Sequence, residues 1–323
     1  MERRKFLKTC SAGLVGLPGA IALGGRGRYF SGKPEQGPIP KRPLGRTGEK
    51  LSIIALGGIV VSREDQTTAD RLVRLAIDNG VNYFDVAPSY GDAQDRLGPA
   101  LKPFRKDVFL ACKTLMRDRA EAEKELDESL RKLETDHVDL YQMHALTKTA
   151  EVEQALGPGG AVETFLKAKK EGKLRFIGFS AHSTEAALLA MDKFDFDTVL
   201  FPINFACYLA ADFGPRVIAR ATEKKMGILA LKALARQKLP EASQRQQHPK
   251  CWYQPITDPT EQDLAFRFTL SQPITAAVPP GDEGIYPRAI ELAHSFTPLR
   301  PEEEVRLREL AAGLNPIFGQ KQG

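Results

Sequence analysis

Cysteine is scarce in this chain of 323 residues: Cys10, Cys112, Cys207 and Cys251, with no C-x-x-C or comparable spacing. That scarcity argues against zinc and iron–sulfur sites and excludes a disulfide framework. Long apolar runs are missing as well, and none reaches the roughly 18 residues of a membrane-spanning helix. Nor is there a strong surplus of one charge. The 46 Lys and Arg stand against 41 Asp and Glu, and the resulting +5 is spread too evenly to indicate nucleic acid as a partner. Hydrophobic residues at 42% and charged residues at 27% exclude disordered or membrane composition. The length is about twice the modal domain and still fits one large α/β domain.

What is present begins with a biased N-terminus. Arg3-Arg4-Lys5-Phe6-Leu7-Lys8 precedes a modest apolar stretch from Thr9 to Leu23, which contains the small-x-small site Ala20-Ile21-Ala22. A basic head, a short apolar middle and such a site describe a signal peptide over residues 1–25. The order R-R-x-F-L-K resembles bacterial twin-arginine (Tat) export signals. That resemblance implies passage through the Tat machinery to the periplasm or another extracytoplasmic compartment, with no spanning segment in the mature chain. Cleavage after Ala22 would remove four basic residues and Glu2, lowering the net charge from +5 to +2. Residues 26–43 read as a Pro/Gly-rich tether. The stretch Ser31–Pro43 holds four prolines and two glycines in thirteen residues, which disfavours both ladder and helix.

From residue 44 to 323 the pattern is regular. Short β-rich runs are expected at Ile53–Leu56, Val81–Val86, Val108–Lys113, Val138–His144, Arg175–Phe179, Val199–Ile203, Gly227–Leu231 and Thr275–Val278. Amphipathic stretches alternate with them: Ala69–Asn79, Ala120–Leu133, Ala161–Glu171, Thr184–Lys193, Val217–Lys225, Glu261–Leu270 and Pro287–Ala293. A further helix over Pro301–Gly313 reads as scaffold. Eight strands with helices between them indicate an α/β fold, a (β/α)8 or TIM barrel. An open doubly wound sheet would carry G-x-G-x-x-G after its first strand, and Gly57-Gly58-Ile59 lacks that spacing.

In such a barrel the chemistry sits where strands end. Strand two ends at Asp85, with Tyr90 five residues on; strand three ends at Lys113, strand four at His144 and strand six at Asn204. A phenol near pKa ~10 exchanges protons poorly at neutral pH, and an adjacent ammonium is expected to lower it. Asp85 would hold Lys113 charged, Lys113 would donate toward Tyr90, and His144 would orient a carbonyl oxygen. The set suits proton donation to a carbonyl as hydride reaches its carbon.

The segment N-Y-F-D-V-A-P-S-Y-G resembles the aldo-keto reductase signature that carries the Asp and Tyr of a catalytic tetrad. V-F-L-A-C-K-T matches the tetrad lysine and V-D-L-Y-Q-M-H its histidine. R-P-L-G-R-T-G-E-K-L-S resembles the N-terminal hairpin that floors the family's barrel, and G-K-L-R-F-I-G-F-S its fifth strand. The likeness covers about residues 40–295. It implies an NAD(P)H-dependent reductase of an aldehyde, ketone or sugar carbonyl, with Tyr90 as proton donor and Asp85, Lys113 and His144 as its companions.

The resemblance also implies a cofactor set. Ser180 matches the serine that holds the nicotinamide carboxamide, and His182 stands near the missing amide side chain. Asn204 stands at a second carboxamide contact, while Leu231, followed by Lys232, replaces the usual stacking aromatic. Arg236 and Lys238 are expected over the pyrophosphate. After strand eight, Val278-Pro279-Pro280-Gly281-Asp282-Glu283-Gly284 lacks the lysine that grips a 2′-phosphate in the family. Arg288 is the nearest basic residue, and the amides of Gly281–Gly284 are candidates for holding a phosphate. The acidic pair favours NAD(H) or dual use over NADP alone.

Two loops, Leu146–Gly160 and Ala235–Pro259, are expected to shape the substrate site, with Trp252 as an apolar wall. Two other classes of function remain open. A metal-dependent sugar isomerase or hydrolase would show more strand-end ligands than Asp85 and His144. A non-catalytic nicotinamide-nucleotide-binding barrel, acting through a partner, accords with the missing amide and aromatic but not with the intact tetrad.

Overall fold

The computed structural model describes residues 37–241 and 245–319. The twin-arginine segment and most of the tether lie outside the described residues. Eight parallel strands run around a barrel in sequence order: β3 (Leu56–Gly57), β4 (Tyr83–Asp85), β5 (Phe109–Thr114), β6 (Val138–Leu146), β7 (Leu174–Ala181), β8 (Thr198–Pro202), β9 (Gly227–Leu231) and β12 (Ala276–Val278). A parallel bridge between Ile54 and Ala277 joins the last strand to the first, with Ala55 N–H donating to the Ala277 carbonyl at 2.9 Å.

Alternation along each strand sorts the side chains into two layers. Tyr83, Phe109, Ala111, Leu140, Leu200, Leu229, Ala276 and Val278 fill the lumen together with Leu44 and Leu51. The opposite phase, including Phe84, Leu110, Tyr141, Phe179, Phe201 and Ile228, packs outward in the main core. Leu44 and Leu51 belong to the floor hairpin, β1 (Lys41–Pro43) paired antiparallel with β2 (Lys50–Ser52). The tether therefore ends sooner than its prolines suggest. Pro43 pairs at the margin of a two-stranded ladder, where a missing N–H is tolerated. Gly227 lets the floor close, since a Cβ there would lie 2.4 Å from Leu44 Cδ1.

The covering helices are α1 (Gln66–Asp78), α2 (Ala93–Leu101), α3 (Arg119–Lys132), α4 (Thr149–Leu156), α5 (Ala161–Lys170), α6 (Thr184–Lys193), α7 (Phe205–Ala211), α8 (Pro215–Glu223), α9 (Pro259–Ser271), α10 (Tyr286–His294) and α11 (Pro301–Ala312). Asp65, Asp118, Ser183 and Asp258 cap their helices through side-chain oxygens. Three of these helices escape a pattern reading. In α2, Gly98 and Pro99 read as breakers, yet a Cβ at 98 would lie 2.4 Å from the Lys132 carbonyl, so packing against α3 requires the glycine. The segment Leu146–Gly160 is not a plain loop, because α4 lies within it, masked by the glycines that follow. Ala235–Pro259 likewise contains an antiparallel hairpin, β10 (Ala235–Lys238) with β11 (Tyr253–Pro255). The third unread helix is α7.

Candidate active site

The alternation that fills the lumen also carries Asp85, Lys113, Gln142 and Ser180 to its upper end in the same phase, all at most 1% exposed. Asp85 forms an ion pair with the Lys113 ammonium. Its second oxygen accepts from Tyr83 OH at 3.1 Å and from Gln142 Nε2 at 3.4 Å. Lys113 also donates to the Val86 carbonyl at 3.2 Å. A buried pair survives when its remaining hydrogen-bonding capacity is filled in this way. Burial alone disfavours the Lys113 charge, but Asp85 outweighs it and holds the ammonium above the ordinary lysine value.

Beyond β4 the chain turns through Pro88 and Ser89, and Tyr90 N–H donates to the Ala87 carbonyl at 3.1 Å. Gly91, at φ +65°, continues the turn. Asp92 then ties it to the β3–α1 loop through Ser62 Oγ at 3.1 Å and Arg63 N–H at 2.8 Å. The Lys113 ammonium lies 5.0 Å from the Tyr90 ring centroid. The Tyr90 pKa moves opposite to the sequence expectation. Burial raises it and Asp85 adds to that, which together exceed the lowering by Lys113, so the phenol keeps its proton.

His144 meets the Tyr90 ring edge-on, with centroids 5.6 Å apart and an interplanar angle of 82°. Its Nδ1 lies 3.3 Å from Ser89 Oγ. Burial first, then the charges of Lys113 and its other neighbours, pushes the imidazole down to about 2, so it is neutral. Its backbone is pinned on both sides. Arg117 Nη2 donates to the His144 carbonyl at 2.6 Å, and Ala145, at φ +55°, donates its N–H to Ser180 Oγ at 2.7 Å.

A cleft of about 160 Å³ opens above these groups, lined among others by Asp85, Tyr90, His144, His182, Leu231, Lys232 and Gly281. That is smaller than the ~300–1,000 Å³ of drug-sized pockets. A ligand the length of a dinucleotide must therefore run out over the rim. Sequence reasoning missed Ile59 and Lys250 in the lining. It also missed the supports Tyr83, Gln142, Ser89 and Arg117. Of these, Tyr83 and Gln142 were recoverable from period-two alternation with Asp85 and His144.

The remaining candidates divide. Ser180 lies beneath the cleft, engaged with Ala145. The His182 ring stacks on Phe318 at 4.8 Å and 26°, and burial followed by Lys232 pushes it down to about 4. Asn204 caps α7, its Oδ1 accepting from Cys207 N–H at 2.9 Å, while its Nδ2 is buried without a partner. Arg236 and Arg288 are not cleft residues. Arg236 pairs with Glu261 at 2.8 Å and Arg288 with Glu291 at 3.0 Å, while Arg288 Nε is buried without a partner. Of the Gly281–Gly284 amides, that of Gly284 is already engaged, together with the next one along the chain. Asp282 Oδ1 accepts from Gly284 N–H at 3.0 Å and Ile285 N–H at 3.1 Å, and its Oδ2 lies 2.7 Å from His248 Nδ1. Lys250 bridges Glu64 at 2.6 Å and Glu283 at 2.9 Å, fastening the segment after β10 across the rim.

Similar architecture is found in solved aldo-keto reductases. AKR11C1 from Bacillus halodurans, in its holo form, aligns with a TM-score of 0.67 at 22% identity over 85% of this chain and 98% of that one. An enzyme from Klebsiella pneumoniae in complex with NADPH aligns at 0.68 and 19% identity over 88% and 99%. At these identities the likeness establishes the fold, a (β/α)8 barrel. The sequence adds the family: a model described as the Aldo/keto reductase family matches residues 54–260, and the chain belongs to that family. Aldo-keto reductase YhdN of Bacillus subtilis is 32% identical over 149 residues, 42% of this chain and 43% of that protein. L-galactose dehydrogenase of Arabidopsis thaliana is 28% identical over 227 residues, 65% and 70% of the two chains. Against several curated relatives the chain matches about half of their length. The family's oxidoreductases use NAD(P)H.

The cleft fits that cofactor at one end. Leu231, in the cleft wall, offers an apolar contact to a ring, and Asn204, fully buried at the end of β8 and outside the cleft lining, keeps its Nδ2 without a partner. The end that would meet a 2′-phosphate fits poorly, because Asp282 already occupies the α10 amides and Glu283 lies beside it.

Proposed function

We propose that this chain is a carbonyl reductase exported by the twin-arginine route, with Tyr90 as proton donor and NADH preferred over NADPH. The observation that carries the reading is the Asp85–Lys113 pair buried beneath a protonated Tyr90, next to a neutral His144 in one cleft. The nicotinamide cofactor, when bound, supplies hydride to the carbonyl carbon. Tyr90 delivers a proton to the carbonyl oxygen. Lys113, held charged by Asp85, stabilises the phenolate left behind and sets the return of its proton. Neutral His144 donates a hydrogen bond that orients the carbonyl oxygen. Asn204, Ser180, His182 and Leu231 would hold the nicotinamide end. The substrate class is an aldehyde, ketone or sugar carbonyl small enough for the cleft.

The deciding experiment follows NADH and NADPH oxidation by residues 23–323 against a panel of aldehydes, ketones and keto-sugars. Turnover, faster with NADH, is expected. Folded protein without turnover on either cofactor transfers the reading to a non-catalytic nucleotide-binding barrel, for which His182 in place of the amide and the absent stacking aromatic are the motivation. Export is tested separately. The full chain should fractionate outside the cytoplasm, and the Arg3→Lys, Arg4→Lys variant should be retained inside. Because such transport moves folded proteins, the exported form is also expected to retain nicotinamide cofactor through purification.

A further inference from the structure

Lys232 is the first residue after β9 and takes a left-handed backbone conformation, φ +66°. L-residues other than Asn and Asp rarely adopt it, and such strain concentrates where a side chain must be aimed. Its ammonium lies 4.9 Å from the ring centroids of both Trp252 and Tyr253, and it lines the cleft with Tyr90, His144 and His182. The two rings attract a cation, but they carry no counter-charge.

The other charges around the cleft are already matched. Lys113 is paired with Asp85, and Lys250 with Glu64 and Glu283. Among the described residues, no carboxylate forms an ion pair with Lys232. The titratable groups that influence it, feel its charge or pack against it lie on every side: His144 on β6, His182 after β7, Cys207 on α7, and Cys251 and Tyr253 of the second hairpin. Each is neutral at pH 7. Burial drives His144 to about 2 and His182 to about 4, lifts Cys251 to about 11, and raises Cys207 and Tyr253. Burial also brings the Lys232 ammonium down to about 8, with Cys251 and Cys207 opposing, so it is mostly charged at pH 7. A cation taken partly out of water without a counter-ion is costly unless a ligand supplies one.

We propose that Lys232 seats an anionic oxygen group of a ligand, a carboxylate or phosphate, contributed by the carbonyl substrate or by the diphosphate of the cofactor. The inference deepens the reductase reading and rests on its cleft. A carboxylate at this seat would place a 2-oxo acid or an acidic sugar among the substrates. A diphosphate there would hold the cofactor from the cleft's own wall, whereas Arg236 is paired with Glu261 and does not line the cleft.

The sole tryptophan, Trp252, is a built-in reporter 4.9 Å from the ammonium. Its emission is followed while pyruvate, inorganic pyrophosphate or neutral hydroxyacetone is titrated into the protein at pH 7 and pH 9.5. Saturable binding of at least one anion, at least tenfold weaker binding of the neutral compound, and at least tenfold weaker anion binding at pH 9.5 are expected. Lys232→Met should weaken that binding at least tenfold, and Lys232→Arg should restore most of it. Loss of NADH affinity in Lys232→Met with pyruvate binding unchanged assigns the seat to the cofactor. Loss of pyruvate binding with NADH affinity unchanged assigns it to the substrate. Anion affinity that is equal at the two pH values in the wild type, or affinities for pyruvate, pyrophosphate and NADH that all survive in a folded Lys232→Met, overturn the proposal. None of these readings needs turnover. Failed anion binding beside active reduction of neutral aldehydes removes this seat alone, and intact anion binding without turnover removes the reductase reading alone.

Discussion

The two halves of the cleft are built differently. On the β4–β6 side, Asp85, Lys113, Gln142 and Tyr83 satisfy one another beneath Tyr90, and removing any of them exposes a buried deficit. On the β8–α10 side, the polar groups expected to meet a dinucleotide are engaged elsewhere: Arg236 with Glu261, Arg288 with Glu291, and Asp282 with its own helix. The first half is held ready for chemistry. The second half is held largely for fold stability, and its remaining capacity includes Asn204 Nδ2, Arg288 Nε and the Lys232 ammonium. Proton delivery therefore depends on a rigid interior, whereas cofactor choice depends on a rim that substitution can retune.

The comparison breaks most sharply at Tyr90. Tyr90→Phe should lower kcat by about 10²–10⁴-fold while leaving NADH affinity and the circular dichroism spectrum unchanged. Equal loss in kcat and NADH affinity would mean that the ring holds cofactor instead of delivering a proton. Next comes the ion pair. Lys113→Met strands a buried carboxylate and should cost about 3–5 kcal/mol in a denaturant titration. Arg236→Ala, removing a partly exposed pair on the other side, should cost about 1 kcal/mol or less. Similar costs at the two positions would erase the distinction.

Acid titration sharpens the contrast further. His144 and His182 sit at about 2 and about 4 in the fold, below the usual 6.5. The unfolded chain therefore binds protons first as pH falls. Stability should be full above pH ~6.5 and should decline as pH drops from 6.5 toward 4 for both residues, and on toward 2 for His144. His182→Asn should flatten the part of that decline between 6.5 and 4, as read from melting temperature against pH. The smallest effect is expected at the rim. Asp282→Ser shortens the group on the α10 amides, and should lower the KM for NADPH several-fold while costing about 1 kcal/mol of helix capping. An unchanged ratio of NADPH to NADH efficiency would exclude Asp282 from cofactor choice.

Sequence order alone places the strand ends. A side-chain period of two and the fixed order of strand and helix put Asp85, Lys113 and His144 at successive strand ends, because covalent geometry dictates which residues share a face. Motif order supplied Tyr90 in the same way. The hidden helices α2 and α4 were harder, since glycine and proline act as breakers locally: in α2 Gly98 is retained through its contact with α3, and in α4 the glycines that follow the helix mask it.

What the tertiary structure decided concerns partners distant in the chain. Arg236 is spent on Glu261, 25 residues on, and Asp282 on His248, 34 residues back. No local pattern records such choices, because a hydrogen bond goes to whichever group the fold brings within about 3 Å. The direction of the Tyr90 shift was likewise out of reach. Its sequence neighbours suggested an ammonium that lowers the pKa, but burial raises it more, and burial is a property of the whole barrel. Chain order is enough to say which reactive groups stand at the strand ends; their protonation and their freedom to bind come from the folded barrel, since desolvation and pairing are set by surroundings that the chain assembles from remote segments.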